Sequence, residues 1–129
     1  MDEEWFQEQV DEAVAGLPSE FADRLDNVDV VVESEPSRRV LRKMGLKGRR
    51  TLLGLYEGVP QTRRTHAYGA VLPDRIVIYR RPVLAAAAAR RRPGQGFDEA
   101  VRQVVRGTVL HEIGHHFGLS EEDMEKYED

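Results

Sequence analysis

The sequence predicts an α+β fold in which a few short β-strands pack on one long helix near the C-terminus. Two runs indicate strands: the β-branched run Val28–Glu33 and the alternating run Arg75–Arg80. From Phe97 to Gly118, apolar residues recur at three- and four-residue spacing, which is typical of an amphipathic helix. Such a helix would be about 30 Å long. A second apolar stripe at helical spacing predicts an additional N-terminal helix.

Length and composition predict one globular domain spanning residues 1–129. Hydrophobic residues make up 40% of the chain and charged residues 33%, which is ordinary for a soluble protein. The chain has no cysteine, so disulfides and cysteine-based zinc sites are excluded. Residues 1–5 (MDEEW) are acidic, unlike a signal peptide, and the uncharged stretch 83–89 is too short to span a bilayer. We therefore expect a cytoplasmic monomer that does not bind a membrane.

Acidic and basic residues are unevenly distributed along the chain. Residues 1–35 hold twelve acids and one base, whereas residues 36–92 hold fifteen bases and two acids. A basic segment of this kind can bind nucleic acid or an acidic protein. No aromatic-rich binding motif accompanies the bases, so we favour the interpretation that the acidic and basic segments fold against one another. Nucleic acid stays an alternative partner.

The first half of the chain is predicted to alternate helices with a strand. Residues 3–16 form a helix by apolar spacing, and the Gly-Leu-Pro at its end stops it. Ser19 is a candidate N-cap for a short helical piece that reaches Leu25. The strand Val28–Glu33 follows. The basic, glycine-containing segment 38–50 is expected to be mobile or partly helical.

The second half supplies the rest of the predicted sheet. Residues 51–57 form a second strand, which Gly-Val-Pro stops, and a short edge strand is expected around residues 67–69. Arg75–Arg80 is the clearest strand because its apolar and polar residues alternate. Val83–Arg92 is an alanine-rich helix with three arginines in its last turn, where positive charge complements the helix dipole.

The long helix carries two histidines and a glutamate in the pattern HExxH, at His111, Glu112 and His115. Because residues i and i+4 share one helix face, both imidazoles can reach a single metal ion. Glu112 lies about 100° further round, where a general base for a metal-bound water is needed. The pattern predicts a Zn²⁺ site with two histidine ligands and Glu112 as the catalytic residue. The alternative is a pair of ordinary surface histidines.

Several segments resemble a small bacterial family of minimal zincin-like metallopeptidases. The segments that carry the resemblance are residues 17–18 (LP), 27–28 (NV), 52–60 (LLGLYEGVP), 72–76 (LPDRI) and 111–118 (HEIGHHFG). The resemblance covers nearly the full length. It implies a minimal zincin-like fold, in which a small mixed β-sheet packs on the active-site helix, and it implies peptidase activity.

A third zinc ligand is also needed, because a catalytic zinc takes three protein ligands and keeps one position for water. Thermolysin-like enzymes take a glutamate from a later helix, which here would fall past Asp129. The metzincin pattern HExxHxxGxxH fits in length and places its third ligand on Glu121, where metzincins carry histidine. Glycine at position 118 would let the chain reverse toward the ion. We therefore predict Glu121, with Glu122, Asp123 or water and substrate as alternatives.

Other polar residues are weaker candidates. His116 points about 100° away from His115, so a packing or solvent role is expected. His66 could polarise a substrate carbonyl, although a surface loop histidine is the simpler interpretation. Three tyrosines are possible oxyanion donors, and nothing in the sequence chooses among them: Tyr68, Tyr79 and Tyr127.

The leading hypothesis for function is a zinc-dependent peptidase in which Glu112 accepts a proton from water and returns it to the leaving amine. An exposed strand edge, at residues 67–72, would align an extended peptide or protein substrate. The alternative is a zinc-containing binding module without turnover, whose basic middle segment engages an acidic partner or nucleic acid. A hydrolase of non-peptide amides is a third hypothesis.

Overall fold

The structure, a computed structural model, describes residues 2–22, 25, 28–46, 48, 51–58, 74–118 and 122. Five helices and three strands lie in these ranges: α1 (Glu3–Ala15), α2 (Ser19–Ala22), β1 (Val28–Glu33), α3 (Arg38–Lys43), β2 (Gly54–Glu57), β3 (Asp74–Tyr79), α4 (Arg80–Arg90) and α5 (Phe97–His116). The predicted α+β class is confirmed.

The described strands form one small mixed sheet in the order β1-β3-β2. Strand β1 runs parallel to β3, with Val28 opposite Asp74, and β2 runs antiparallel to β3, with Gly54 opposite Ile78. The central strand is buried on both faces, because Ile76 to Tyr79 are at most 1% exposed. Burial on both faces is typical of a strand in a sheet whose two faces are both covered by other parts of the protein.

Helix α5 lies at the centre of the molecule, against α1, α4 and the sheet. The shared core has these fully buried members: Phe6, Val10, Ile76, Ile78, Val83, Ala87, Val101, Val105, Val109 and Ile113. Polar contacts also join α1 to α5. Arg102 Nε donates to Gln9 Oε1 at 3.0 Å, and the guanidinium lies 5.5 Å from the centre of the Trp5 ring.

The structure defines the first residues of three helices. Two of them differ from the predicted starts, and the third lies in a segment for which no start was predicted. Ser19 is the first helical residue of α2 instead of its N-cap, because the Pro18 carbonyl accepts the amide hydrogen bond of Phe21 at 2.9 Å. Segment 38–50 is partly helical, and its helix α3 begins where the Ser37 hydroxyl accepts from the Val40 amide at 3.1 Å. Helix α4 begins at Arg80, directly after β3, with no loop between them.

The predicted strands differ from the observed ones in length and coverage. Strand β2 begins at Gly54, three residues later than predicted, and β3 ends at Tyr79 because Arg80 already belongs to α4. The edge strand expected around residues 67–69 lies outside the described residues.

Ion pairs among the described residues join the acidic N-terminal segment to the basic middle segment. Glu33 contacts Arg75 at 2.8 Å, Glu3 contacts Arg80 at 3.4 Å, and Glu35 contacts Arg81 at 4.0 Å. These pairs agree with the interpretation that the two segments fold against each other. None of the helices in the described ranges has the length and apolar character that crossing a membrane requires.

Candidate metal centre

The last two turns of α5 carry the histidines of the HExxH pattern. The helix ends at His116, Phe117 is its C-cap, and Gly118 adopts a positive φ of 70°. This left-handed conformation is readily available to glycine and is a common way to end a helix. The apolar spacing and the glycine stop together keep residues 111–115 helical, so that His111 and His115 lie one turn apart.

His111, Glu112 and His115 form the one cluster of candidate metal ligands found within the described residues. Their ligand atoms all lie within 4.8 Å of one another. The two imidazole rings meet edge to face with their centres 4.5 Å apart. Nδ1 of His115 lies 3.5 Å from Oε2 of Glu112. The structure therefore brings together two imidazoles, which suit a zinc ion, and a carboxylate beside them.

The three side chains differ in burial. Glu112 is 6% exposed, His111 is half-buried, and the His115 side chain is 43% exposed. The carboxylate thus lies on the inner side of the cluster and the His115 ring on the solvent side. A buried carboxylate beside imidazoles interacts more strongly with nearby charge than an exposed one does, because water screens it less.

Strand β2 passes very close to the metal-binding part of α5 at Gly54. A Cβ atom at this position would meet Thr108 Cγ2 at 2.9 Å and Glu112 Cγ at 3.2 Å. Glycine is therefore needed here for its lack of a side chain, and its φ is not in the left-handed region. The same contact shows that the Glu112 side chain leaves the helix toward β2.

A groove of about 550 Å³ runs between β2 and α5. Its wall contains His111, Glu112 and His115, together with an apolar side built mainly from residues 51–56. Further lining residues are Met44, Arg90, Gln103, Val104, Gly107 and Thr108. The candidate metal cluster thus faces a cavity of the size that binds small ligands or a segment of peptide.

His116 points away from the cluster and into the fold. Its Nδ1 lies 2.9 Å from Oδ2 of Asp74, the first residue of β3. The Tyr56 hydroxyl donates to the same carboxylate oxygen at 2.9 Å. His116 therefore has a packing role, one of the two roles expected for it from its position on the helix.

The other candidate residues are only partly covered. Glu121, Asp123, His66, Tyr68 and Tyr127 lie outside the described residues, whereas Glu122 is described and exposed. Tyr79 is 1% exposed at the end of β3 and does not line the groove. Burial raises the pKa of the Tyr79 hydroxyl above its usual value, and the charge of Glu33 adds to the shift.

Sequence reasoning missed two groove residues that a simple signal could have identified. In a strand, residues two apart face the same side, so Gly54 and Tyr56 share a face. Once Gly54 is recognised as a point of close approach to the helix, Tyr56 follows as a groove residue. A glycine inside an apolar strand pattern often marks such close approach of another element.

Comparison with known proteins agrees with this geometry. A family model described as zincin-like metallopeptidase matches residues 25–129, which include the sheet, α3, α4 and the whole of α5. No curated protein matches the chain. The match covers well over half of the sequence and includes the His111, Glu112 and His115 cluster. The chain belongs to the zincin-like metallopeptidase family.

Proposed function

We propose that the protein is a zinc-dependent peptidase that hydrolyses peptide bonds in the groove between β2 and α5. One observation carries the proposal: His111, Glu112 and His115 place their ligand atoms within 4.8 Å of one another on the groove wall. The family match gives independent support.

The residues present suit zinc. Two nitrogens bound to one zinc ion at about 2.0–2.1 Å can be no more than about 4.2 Å apart. The 4.8 Å limit observed for the cluster is close to that value, and the His115 side chain is 43% exposed, which leaves room for a small rotation of its ring. When bound, zinc acts as a Lewis acid and lowers the pKa of a coordinated water to about 7.

Glu112 is the proposed general base and acid. Its carboxylate lies beside the two imidazoles, and its side chain lines the groove and is buried between α5 and β2. From this position it accepts the proton of the attacking water. It then returns this proton to the amine nitrogen as the peptide bond breaks, so that the carboxylate is regenerated.

Glu121 is the proposed third ligand. Support comes from its place three residues after Gly118, whose positive φ of 70° is a common way to end a helix. Replacing Glu121 with alanine should weaken zinc binding, whereas the matched change at Glu122 should have little effect. Isothermal titration of zinc into both variants checks this. If the two variants bind zinc with equal affinity, the third zinc ligand is a group other than Glu121.

The outer edge of β2 is the proposed site of substrate alignment. Among the described strands, β2 has a neighbour on one side only. The Tyr79 amide donates to the Leu53 carbonyl at 2.9 Å, so these two residues form a hydrogen-bonded pair. Along two antiparallel strands, hydrogen-bonded and non-hydrogen-bonded residue pairs alternate. The backbone N–H and C=O groups of Gly54 and Tyr56 therefore point away from β3. An extended peptide could pair with these groups by strand addition while its scissile bond faces Glu112.

Metal analysis of the purified full chain, combined with a peptide-cleavage screen, tests the proposal. We expect close to one zinc per chain and cleavage that a chelator abolishes and added zinc restores. The alternative, a zinc-containing binding module, predicts zinc without cleavage and a salt-sensitive binding of nucleic acid through the exposed bases of α3. A chain that binds no zinc would contradict both.

A further inference from the structure

A buried polar cluster joins the last turn of α5 to the sheet, and none of its members is a candidate metal ligand. Its members are Asp74 on β3, Tyr56 on β2 and His116 on α5. The Asp74 carboxylate accepts from the Tyr56 hydroxyl and lies 2.9 Å from His116 Nδ1, and the Tyr56 hydroxyl lies 3.3 Å from that nitrogen. Asp74 is 4% exposed, so water does not compete effectively for these contacts.

We propose that Asp74 is a positioning residue for the metal site. By holding His116, it fixes the last turn of α5 and thereby the direction in which the neighbouring His115 presents its ring. The inference rests on the proposed role of His111 and His115 as metal ligands. It adds a residue from β3 to a site whose described candidate ligands and general base all lie on α5.

Support of this kind matters for His115 because its side chain lies on the solvent side of the cluster. Its side chain is 43% exposed, compared with 16% for the side chain of His116. The last turn of a helix lacks some of the backbone hydrogen bonds of the interior and tends to fray. Consecutive side chains on a helix are about 100° apart, so anchoring His116 to the sheet also sets the direction in which the His115 side chain leaves the helix.

The surroundings of the cluster fit a positioning role. A Cβ atom at Gly58 would overlap the Tyr56 hydroxyl, so glycine there leaves room for the ring to reach Asp74. On the other side of His116, Phe117 stacks on Phe21 with ring centres 5.4 Å apart. The helix end is therefore held from two directions.

The buried carboxylate of Asp74 is better explained by a role in orienting His116 than by a contribution to the stability of the fold. Burying a carboxylate costs free energy unless hydrogen bonds compensate, and apolar residues of similar size often stabilise a fold as well or better. Directional hydrogen bonds to a hydroxyl and an imidazole, in contrast, hold a side chain at one angle.

The test compares Asp74→Asn, Tyr56→Phe and wild type as full chains loaded with Co²⁺. Asp74→Asn should weaken metal binding by about tenfold, the low end of the effect of removing a direct hydrogen-bond partner of a metal ligand, because Asp74 acts on His115 through His116. Tyr56→Phe, which removes one hydroxyl, should give a smaller loss. Chelator competition measures the affinity, and the cobalt absorption bands report the ligand geometry, which should change in Asp74→Asn.

A measurement without metal separates positioning from a general structural role. In metal-free Asp74→Asn, amide hydrogen exchange should be faster than in metal-free wild type in the last turn of α5. Exchange around Val101–Val105 should be the same in both proteins. Glu33→Gln is the control, because it removes a carboxylate on β1 that pairs with Arg75, the residue next to Asp74 on β3. Its metal affinity should equal that of wild type.

Three results would overturn the proposal. One is wild-type metal affinity and an unchanged cobalt spectrum in both variants. Another is a loss of exchange protection that extends along all of α5, which would make Asp74 a general stabilising residue. If Asp74→Asn does not fold, Tyr56→Phe decides by the same criteria. The third result is a wild type that binds no metal, which would contradict the proposed function and this proposal together. Unaffected variants of a wild type that does bind metal would contradict only the positioning role of Asp74.

Discussion

The two halves of α5 are held in the molecule in different ways. In the first half, Val101 and Val105 are fully buried in a core shared with α1, α4 and the sheet, and Val109 and Ile113 continue that core into the second half. In the second half, the buried carboxylate of Glu112 lies beside two histidines, and His116 reaches a second buried carboxylate. Apolar packing therefore places the helix, and polar contacts orient the residues at its end.

The comparison shows how a small domain can support a chemical site. Apolar burial is not directional, so it fixes where the helix lies better than which way its last side chains point. Hydrogen bonds are directional and supply that second constraint. Changes at the buried valines of the first half should accordingly reduce the free energy of unfolding, whereas changes at the polar residues of the second half should reduce metal affinity and activity.

The largest expected effect is in the second half. His111→Ala or His115→Ala should abolish stable zinc binding, because a site with two protein ligands rarely holds zinc well. The free energy of unfolding of the metal-free protein should change by only about 1 kcal/mol or less, since both side chains are partly exposed. Isothermal titration and thermal melts measure the two quantities. Unchanged zinc affinity in either variant would remove the basis of the metal site.

A change in the first half should have the opposite profile. Val105→Ala removes two methyl groups from a fully buried side chain, which should lower the free energy of unfolding by about 2–3 kcal/mol. Zinc affinity of the folded protein should not change. Arg106→Ala, at the exposed neighbouring position, is the control and should alter stability by about 0.5 kcal/mol or less. Urea unfolding checks both, and equal stabilities would show that this half of the helix is not held by packing.

The smallest effect is expected at the junction of the two halves. Gly54→Ala places a methyl group against Thr108 and Glu112, and overpacking of this kind typically costs about 1–3 kcal/mol. The gain from replacing glycine in a strand, up to about 1 kcal/mol, offsets part of it. We expect a net loss of about 1 kcal/mol in stability and a fall in kcat, because Glu112 must move. A stabilised variant with full activity would contradict the close approach of β2 to α5.

Features encoded by local sequence were predicted well. The span of α5 follows from its apolar spacing and from Gly118, and both predicted bounds of β1 are those of the structure. The α+β class, predicted from the strand and helix patterns, and the mixed sheet, expected from the family resemblance, are also confirmed. The roles of His111, Glu112 and His115 stay predictions, as does the ligand role of Glu121.

Features that depend on contacts between distant segments were not predicted. The start of α4 at Arg80 was missed because two arginines resemble the end of a strand as much as the start of a helix. The contact between Asp74 and His116 joins residues far apart in the sequence, and no periodicity shows it. The nearness of Gly54 to Glu112 similarly depends on how β2 crosses the helix, which local propensity does not determine.

The most direct test of a metal-dependent peptidase separates metal binding from catalysis at Glu112. Glu112→Gln keeps the size of the side chain and removes its basic oxygen, so zinc should remain bound close to the wild-type stoichiometry. Loss of a positioned general base typically lowers the rate by about 10²–10⁴, so chelator-sensitive cleavage should fall by at least about 10². Measuring zinc content and cleavage on the same preparation tests both expectations. Loss of zinc would make Glu112 a ligand, and undiminished cleavage would contradict its role as the base.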